Sequence, residues 1–338
     1  MSNKILLDFT KKLKSILKIC PKNSHQLHEP LIENKDLVKI KESIKTGFVS
    51  TVGKHVDEFQ SKLKKLTKSR YVILTNTGSS ALHLVLSAIG INKNDEVLIP
   101  NFNYIASANS VLMCNGIPHF IDINEETLGI DTKKLKKYLN SNTISKKDGC
   151  FNKKTGKRIA ACIVMHTYGY SSDIIEIKKI LKNKKIIMLE DSAEAIGSFH
   201  KKKHLGTFGF AGILSFNGNK TITTGSGGAI ICKNKIDYKR IKHLITTSKI
   251  NKTIIPTHDS MGFNYRMPSL NASLGISQLN KLDKILNVKL EIFEIYVSIS
   301  QNYKELFKIY NNENNKQLNN HWIVLMICEN KKIRNRFL

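Results

Sequence analysis

Residues 214–231 read LSFNGNKTITTGSGGAII, with Lys220 at the centre. Ser215, Gly218 and Asn219 precede the lysine, and Thr221, Thr223 and Thr224 follow it. Apolar, strand-like runs at 211–216 and 229–232 flank this turn-rich stretch. A lysine carried on a constrained turn beside hydrogen-bonding groups can act as a covalent amine. It does so only where a shaped pocket favours its neutral form, the condition for Schiff-base chemistry. The bland alternative is a solvated loop lysine, and with 54 Lys and Arg residues in the chain that alternative is always at hand. The chemical reading therefore needs partners.

Five candidate partners sit at chain positions that could converge. Asp191 follows an apolar run, and Tyr104 lies in a loop after another. Gly78 and Ser79 form a small-residue turn between a β-prone run (71–74) and a helical pattern (79–89). A strand, a small turn and a helix point free backbone N–H groups at a phosphate, and Ser215 adds a hydroxyl. Taken one at a time, each has a structural reading: Asp191 a helix N-cap, Tyr104 a core ring, Ser215 a strand serine, and His166 a satisfied core histidine. Taken together they match what amino transfer by pyridoxal phosphate (PLP) requires. Those requirements are a Schiff-base lysine, an anion opposite the pyridine nitrogen, a flat group against the ring, a phosphate cup and an acceptor pocket.

The elements that must hold these residues alternate. Strand patterns at 71–74, 96–100, 119–123, 159–165 and 185–189 are separated by helical patterns at 79–89, 105–115, 131–139 and 173–181, with Asp173 a candidate N-cap. Such alternation argues for a mainly parallel, doubly wound sheet, whose ligands bind outside the carboxyl ends of the strands. Asn103-Tyr104, His166-Thr167-Tyr168 and Glu190-Asp191 all fall at such ends. Helices are expected at 37–46 and 56–67 before the sheet, and at 237–246, 268–286 and 289–307 after it. A polar loop (311–320), a strand (321–328) and a helix begun at 331 complete the pattern. The expected division is an N-terminal helical extension (1–30), a large PLP-binding domain (31–250) and a small C-terminal domain (251–338).

The formal charge is +27, but the excess is spread in pairs and triplets such as Lys133-Lys134 and Lys201–Lys203, with no basic tail. That distribution argues against a specific nucleic-acid site. The six cysteines are scattered without a CxxC pair, so neither a zinc site nor a disulfide framework is expected. No run reaches the ~18–20 apolar residues of a membrane span. Residues 4–20 place Ile5, Leu6, Phe9, Leu13, Ile16 and Leu17 at helical spacing between lysines, a basic amphipathic helix expected to dock on the protein itself rather than on a membrane surface.

The ordered set HEP, GFVSTVGKHVDEF, TGSSALHL, EDSAEAIGS, GTFG, SFNGNKTITTGSGGAI and GFNYRMPSLNASLGISQL, running from about residue 28 to 283, resembles the DegT/DnrJ/EryC1/StrS family of PLP-dependent sugar aminotransferases. The resemblance implies the aspartate-aminotransferase-like fold, the type I fold of PLP-dependent transferases. In that fold a large domain with a mainly parallel seven-stranded sheet carries a smaller α/β domain. It implies Lys220 as the Schiff-base lysine and proton carrier, Asp191 on the pyridine nitrogen and Glu194 near the ring hydroxyl. Tyr104 would stack on the ring, Gly78, Ser79 and Ser215 would contact the phosphate, and His166 and Tyr168 would lie on the substrate side. Asn264 would reach the phosphate of the neighbouring subunit's cofactor, which makes a homodimer with shared active sites.

KDGCFNKKTGKRIAACIVMHTYG, STVGK and SFNGNK resemble the LegC-type branch. That branch aminates C4 of a UDP-linked 4-keto-6-deoxy N-acetyl sugar on legionaminic acid and bacillosamine-type routes, with glutamate as donor in a ping-pong cycle. NKTITTG also resembles the GDP-perosamine synthases. Relatives with His at the lysine position are sugar dehydratases; Lys220 argues for transamination. A cytoplasmic enzyme of polysaccharide biosynthesis is the expectation. The departure from the pattern is the C-terminus, where family members continue past the helix begun by IRNRFL. A truncated small domain is therefore expected, and a non-catalytic remnant that still dimerises is the competing class.

Overall fold

The computed structural model describes residues 2–16, 28–250, 255–312 and 317–337. Seven strands form the central path: β1 (Tyr71–Thr75), β2 (Glu96–Pro100), β3 (Ile117–Ile121), β4 (Arg158–Met165), β5 (Ile187–Asp191), β6 (Ala211–Ser215) and β7 (Gly228–Cys232). They lie side by side in the order β1-β7-β6-β5-β4-β2-β3. Only β7 along this path runs antiparallel, pairing with β1 and β6, while the other pairs are parallel. β2 and β6 are buried along their whole length, as expected for strands covered on both faces.

The helices of the described residues are α1 (Ser2–Ile16), α2 (Asn34–Lys45), α3 (Lys54–Thr67), α4 (Gly78–Ile89), α5 (Ala106–Met113), α6 (Thr132–Asn142), α7 (Ile174–Asn183), α8 (Lys235–Ile245), α9 (Ser269–Asn280), α10 (Leu282–Ser300) and α11 (Lys331–Phe337). α4, α5 and α8 pack on one face, sharing a core with Ile73, Ile99, Ile163, Leu189, Ile213 and Ile230. α6 and α7 cover the other face over β2, β4 and β5. α3 and α9 cover that same face over β1, β6 and β7. The approach of α3 to α9 depends on Gly275, where an added Cβ would stand 2.6 Å from the Phe59 ring.

The aspartate-aminotransferase-like, mainly parallel α/β architecture is present. The sheet is wider than the expected seven strands. A hairpin, Thr143–Lys146 with Gly149–Asn152, adds antiparallel to β4 and brings the count to nine. Its outer strand is mostly exposed and carries Ser145 and Lys146, so no apolar run announced it. Past β7 the expected break near 287 lies instead at Lys281, between α9 and α10. The helix expected to reach 307 ends at Ser300, and Phe307–Ile309 pairs antiparallel with Met326–Cys328, all that forms of the strand expected at 321–328. Within the expected loop 311–320, Gln317–Leu318 pairs with Phe199–His200, while 313–316 lie outside the described residues. Asp173 occupies the N-cap of α7 but makes no side-chain cap bond.

Two junctions tie remote parts together. Asp36 of α2 is fully buried and accepts from Ser277 Oγ (2.6 Å) and Lys281 Nζ (2.8 Å). The N-terminal helix docks on the protein. Phe9 meets the rings of Tyr303 and Phe307 edge-on at 5.2 and 4.9 Å, and Tyr303 Oη donates to Asp8 at 2.7 Å. The end of the expected helix, 17–20, lies outside the described residues.

Candidate functional site

Because β1, β2, β4, β5 and β6 are mutually parallel in the sheet, their carboxyl ends share one edge, and a cavity of about 310 Å³ opens there. It is lined by Gly78, Ser79, Tyr104, Asp191, Glu194, Ser215 and Lys220. Seven of the residues singled out in the sequence therefore face one space, although they come from four separate stretches of chain.

Each is positioned by local chemistry. Thr77 caps α4 by accepting from the Ser80 N–H at 2.9 Å, which leaves the Gly78 and Ser79 N–H groups without intrahelical partners at the cavity. Gly78 is pressed so closely on Ser215 that an added Cβ would stand 3.0 Å from the serine Cβ. Asp191 ends β5 at 3% exposure and is satisfied on both oxygens. Ser107 Oγ donates to Oδ2 at 3.0 Å and the Ala193 N–H to Oδ1 at 3.2 Å. Glu194, at 7% exposure, pairs through Oε1 with Lys220 Nζ at 3.3 Å and accepts the Tyr168 N–H on Oε2 at 2.7 Å. Burial raises the Glu194 pKa above the usual carboxylate range, with Lys220 pulling against it. Tyr104 lines the mouth and is 65% exposed.

Three candidates lie elsewhere. His166 is fully buried and outside the cavity lining. Its Nδ1 accepts the Ser172 N–H at 3.4 Å, so the proton is assigned to Nε2, which donates to Glu190 Oε2 at 3.0 Å. Glu190 also receives N–H bonds from Gly206, Phe208 and Gly209. Burial alone would raise its pKa, but His166 first, and then the Gly209 and Gly206 N–H groups, hold it below the ordinary value. This pair is engaged in holding the 206–209 turn. Tyr168 adopts a left-handed backbone (φ 55°) beside the cavity, with its ring 6.2 Å from that of Trp322. Asn264 is exposed and outside the cavity, bonded by Arg266 at 3.4 Å.

Two contributors were not foreseen. Ser107, on α5, reaches Asp191 across 84 residues. Trp322 closes one wall, its ring centroid 4.1 Å from Lys220 Nζ. It is the only tryptophan in the chain, a signal that composition offered and spacing could not place. Among the described residues no group of three or more His, Cys, Asp or Glu converges on a metal position, and no helix is long and apolar enough to cross a membrane.

The arrangement offers one amine, two buried carboxylates and a helix N-terminus around a space of small-molecule size. That donor set fits PLP: an amine for its aldehyde, an anion for its ring nitrogen and N–H groups with hydroxyls for its phosphate. A cradle this close, in which a single Cβ at Gly78 would crowd Ser215, is shaped for a compact anion.

The model of the DegT/DnrJ/EryC1/StrS aminotransferase family matches residues 30–338. The chain is 31% identical over 307 residues to the GDP-perosamine synthase of Vibrio cholerae, covering 90% of this chain and 77% of that protein. It is 32% identical over 266 residues to the UDP-4-amino-4,6-dideoxy-N-acetyl-beta-L-altrosamine transaminase of Campylobacter jejuni, covering 78% of this chain and 66% of that protein. The crystal structure of the aminotransferase TlmJ from Streptoalloteichus hindustanus superposes with a TM-score of 0.82 at 20% identity, over 93% of this chain and 81% of that one; at that identity the likeness shows the fold.

Proposed function

We propose, from the premise that this chain belongs to the DegT/DnrJ/EryC1/StrS aminotransferase family, that it moves the amino group of glutamate to C4 of a nucleotide-linked 4-keto-6-deoxy sugar. The observation that carries this reading is the meeting of Lys220, Asp191 and Glu194 in one cavity with the N-terminus of α4. The enzyme is a PLP-dependent sugar aminotransferase. When bound, PLP supplies an aldehyde that takes up the amino group and a protonated pyridine ring that draws electrons from the substrate carbon.

The residues divide the remaining work. The Gly78 and Ser79 N–H groups, with the Ser79 and Ser215 hydroxyls, hold the phosphate. Asp191, oriented by the Ser107 and Ala193 donors, faces the ring nitrogen. Tyr104 covers the ring face. Glu194 holds Lys220 in place and serves the ring hydroxyl. Lys220 carries a proton between its Nζ and the reacting carbon. Asn264, exposed and away from its own cavity, reaches the cofactor phosphate of a second subunit in a homodimer. His166 acts indirectly, through Glu190 and the 206–209 turn, and Tyr168 borders the substrate side. Residues 31–250 form the PLP-binding domain, 1–30 an extension and 251–338 the small domain, and the enzyme works in the cytoplasm on polysaccharide precursors.

The acceptor is UDP-linked and N-acetylated in the reading drawn from the LegC-type motifs, in line with the similarity to the Campylobacter transaminase. The GDP-linked reading is favoured by the perosamine synthase match, which spans more of the chain. An amination assay with glutamate and each keto sugar distinguishes them. Amino-sugar formation that disappears in Lys220→Ala is the expected result. A PLP-loaded protein that glutamate does not convert would sink the enzyme reading and leave the dimerising remnant.

A further inference from the structure

We infer that Trp322 is the platform on which the hexose ring of the acceptor lies, a specificity-determining residue for the sugar half of the cycle; this rests on the reading of the cavity just given. Trp322 is held at three points, one on the indole and two on its backbone. Nε1 donates to the Asn219 carbonyl at 2.8 Å, the backbone N–H donates to Asn320 Oδ1 at 3.1 Å, and the carbonyl accepts Lys289 Nζ at 2.8 Å. Asn320 is bolted in turn to the PLP side of the cavity. Its amide donates to the carbonyls of Glu194 (2.7 Å) and Ile196 (3.0 Å), and its N–H to Ser198 Oγ (3.0 Å). A ring this constrained is preorganised for contact.

A purely structural tryptophan would be sunk among apolar side chains. Trp322 is buried yet belongs to none of the apolar core clusters of the described residues. Its flat face is turned instead toward Lys220 Nζ, 4.1 Å from the ring centroid, and Tyr168 stands beside it at a tilt of 32°.

That placement constrains any acceptor. For Lys220 to pass a proton, the reacting carbon must come within about 3–3.5 Å of Nζ, so its neighbours fall against the indole. In a 4-keto-6-deoxy sugar the neighbour of C4 carries a methyl group. Methyl and ring C–H groups present slightly positive, apolar surface that suits the negative face of an aromatic ring. Glutamate, with two carboxylates and a flexible chain, offers no such face. Trp322 therefore acts on the acceptor far more than on the donor.

The test measures both half-reactions of PLP-loaded enzyme by cofactor absorbance, in wild type, Trp322→Ala and Trp322→Phe. The expected result is a sugar half-reaction that loses roughly three- to ten-fold more than the glutamate half-reaction in Trp322→Ala, mostly as KM, with Phe restoring most of it. The lone tryptophan gives a second readout in the unmodified enzyme: its fluorescence changes saturably with the 4-keto-6-deoxy sugar nucleotide and not with the free nucleoside diphosphate. Equal losses in both half-reactions, or fluorescence indifferent to the sugar, would overturn the inference even if Trp322→Ala fails to fold. Absence of the glutamate half-reaction in wild type would instead overturn the parent reading.

Discussion

Asp191 and Glu194 are three residues apart and face the same cavity, yet their surroundings set them different tasks. Asp191 is satisfied by neutral donors and stays free for a cationic ring nitrogen; Glu194 is tied to Lys220. Removing the hydroxyl that supports Asp191 should be felt by the cofactor. A hydrogen bond to a buried charge is worth roughly 1.5–3 kcal/mol, so Ser107→Ala should weaken PLP retention about ten-fold or more, measured by spectroscopic titration. His204 makes a pH prediction. It is buried, accepts the Gly197 N–H on Nε2, and burial lowers its pKa from 6.5 to about 4. Between those values the unfolded chain takes up a proton that the folded chain refuses, so stability should fall as pH drops from 6.5 toward 4, by roughly 3 kcal/mol at full effect. Urea midpoints at pH 7 and 5 should differ less in His204→Gln; an unchanged pH slope would contradict the assignment. At this scale the sequence was informative where residues cluster in short motifs, as around Lys220 and Asp191. Ser107 was missed because it sits in a helix of small residues with nothing to mark the side chain it would meet.

The turn between β1 and α4 is built by contact with β7. A Cβ on Gly228 would lie 2.7 Å from Gly78 N, Thr75 Oγ1 and Thr77 C, so the strand that runs against the sheet's direction also seats the phosphate-binding turn. Gly228→Ala should cost about 1–3 kcal/mol in stability and weaken binding of PLP more than of phosphate-free pyridoxal; calorimetric melting and paired titrations check both. Element type was readable wherever apolar runs met Gly or Asn boundaries, as in β2, β5 and α4. It was not readable at the 143–152 hairpin, whose outer strand is half lysine and serine, nor at Lys281, where a turn of backbone at φ −98°, ψ 0° divides two helices without a proline or glycine to announce it.

Across the molecule, both ends of the described chain meet in one aromatic cluster of Phe9, Tyr303, Phe307 and Phe337. Docking of α1 is therefore expected to support the 301–337 segment that also delivers Trp322. Phe9→Ala should cost about 3 kcal/mol where the cluster is fully formed. It should also speed limited proteolysis within 301–337, whereas unchanged cleavage there would separate the two ends energetically. The +27 charge predicted no partner here, and the cavity wall from residue 322 lay a hundred positions beyond the lysine it faces, a distance no local pattern spans.

The clasp between α2 and α9 also has a meaning in time. The Asp36–Lys281 pair closes a loop of 245 residues, and the entropy of that closure must be met before its bonds form. Helix α2 is therefore expected to dock late, after the sheet and α9 have come together. Contacts this remote in sequence slow folding. An early stretch of the chain is thus expected to be clasped late, so a mutation at Asp36 should quicken unfolding while leaving the rate of early collapse unchanged.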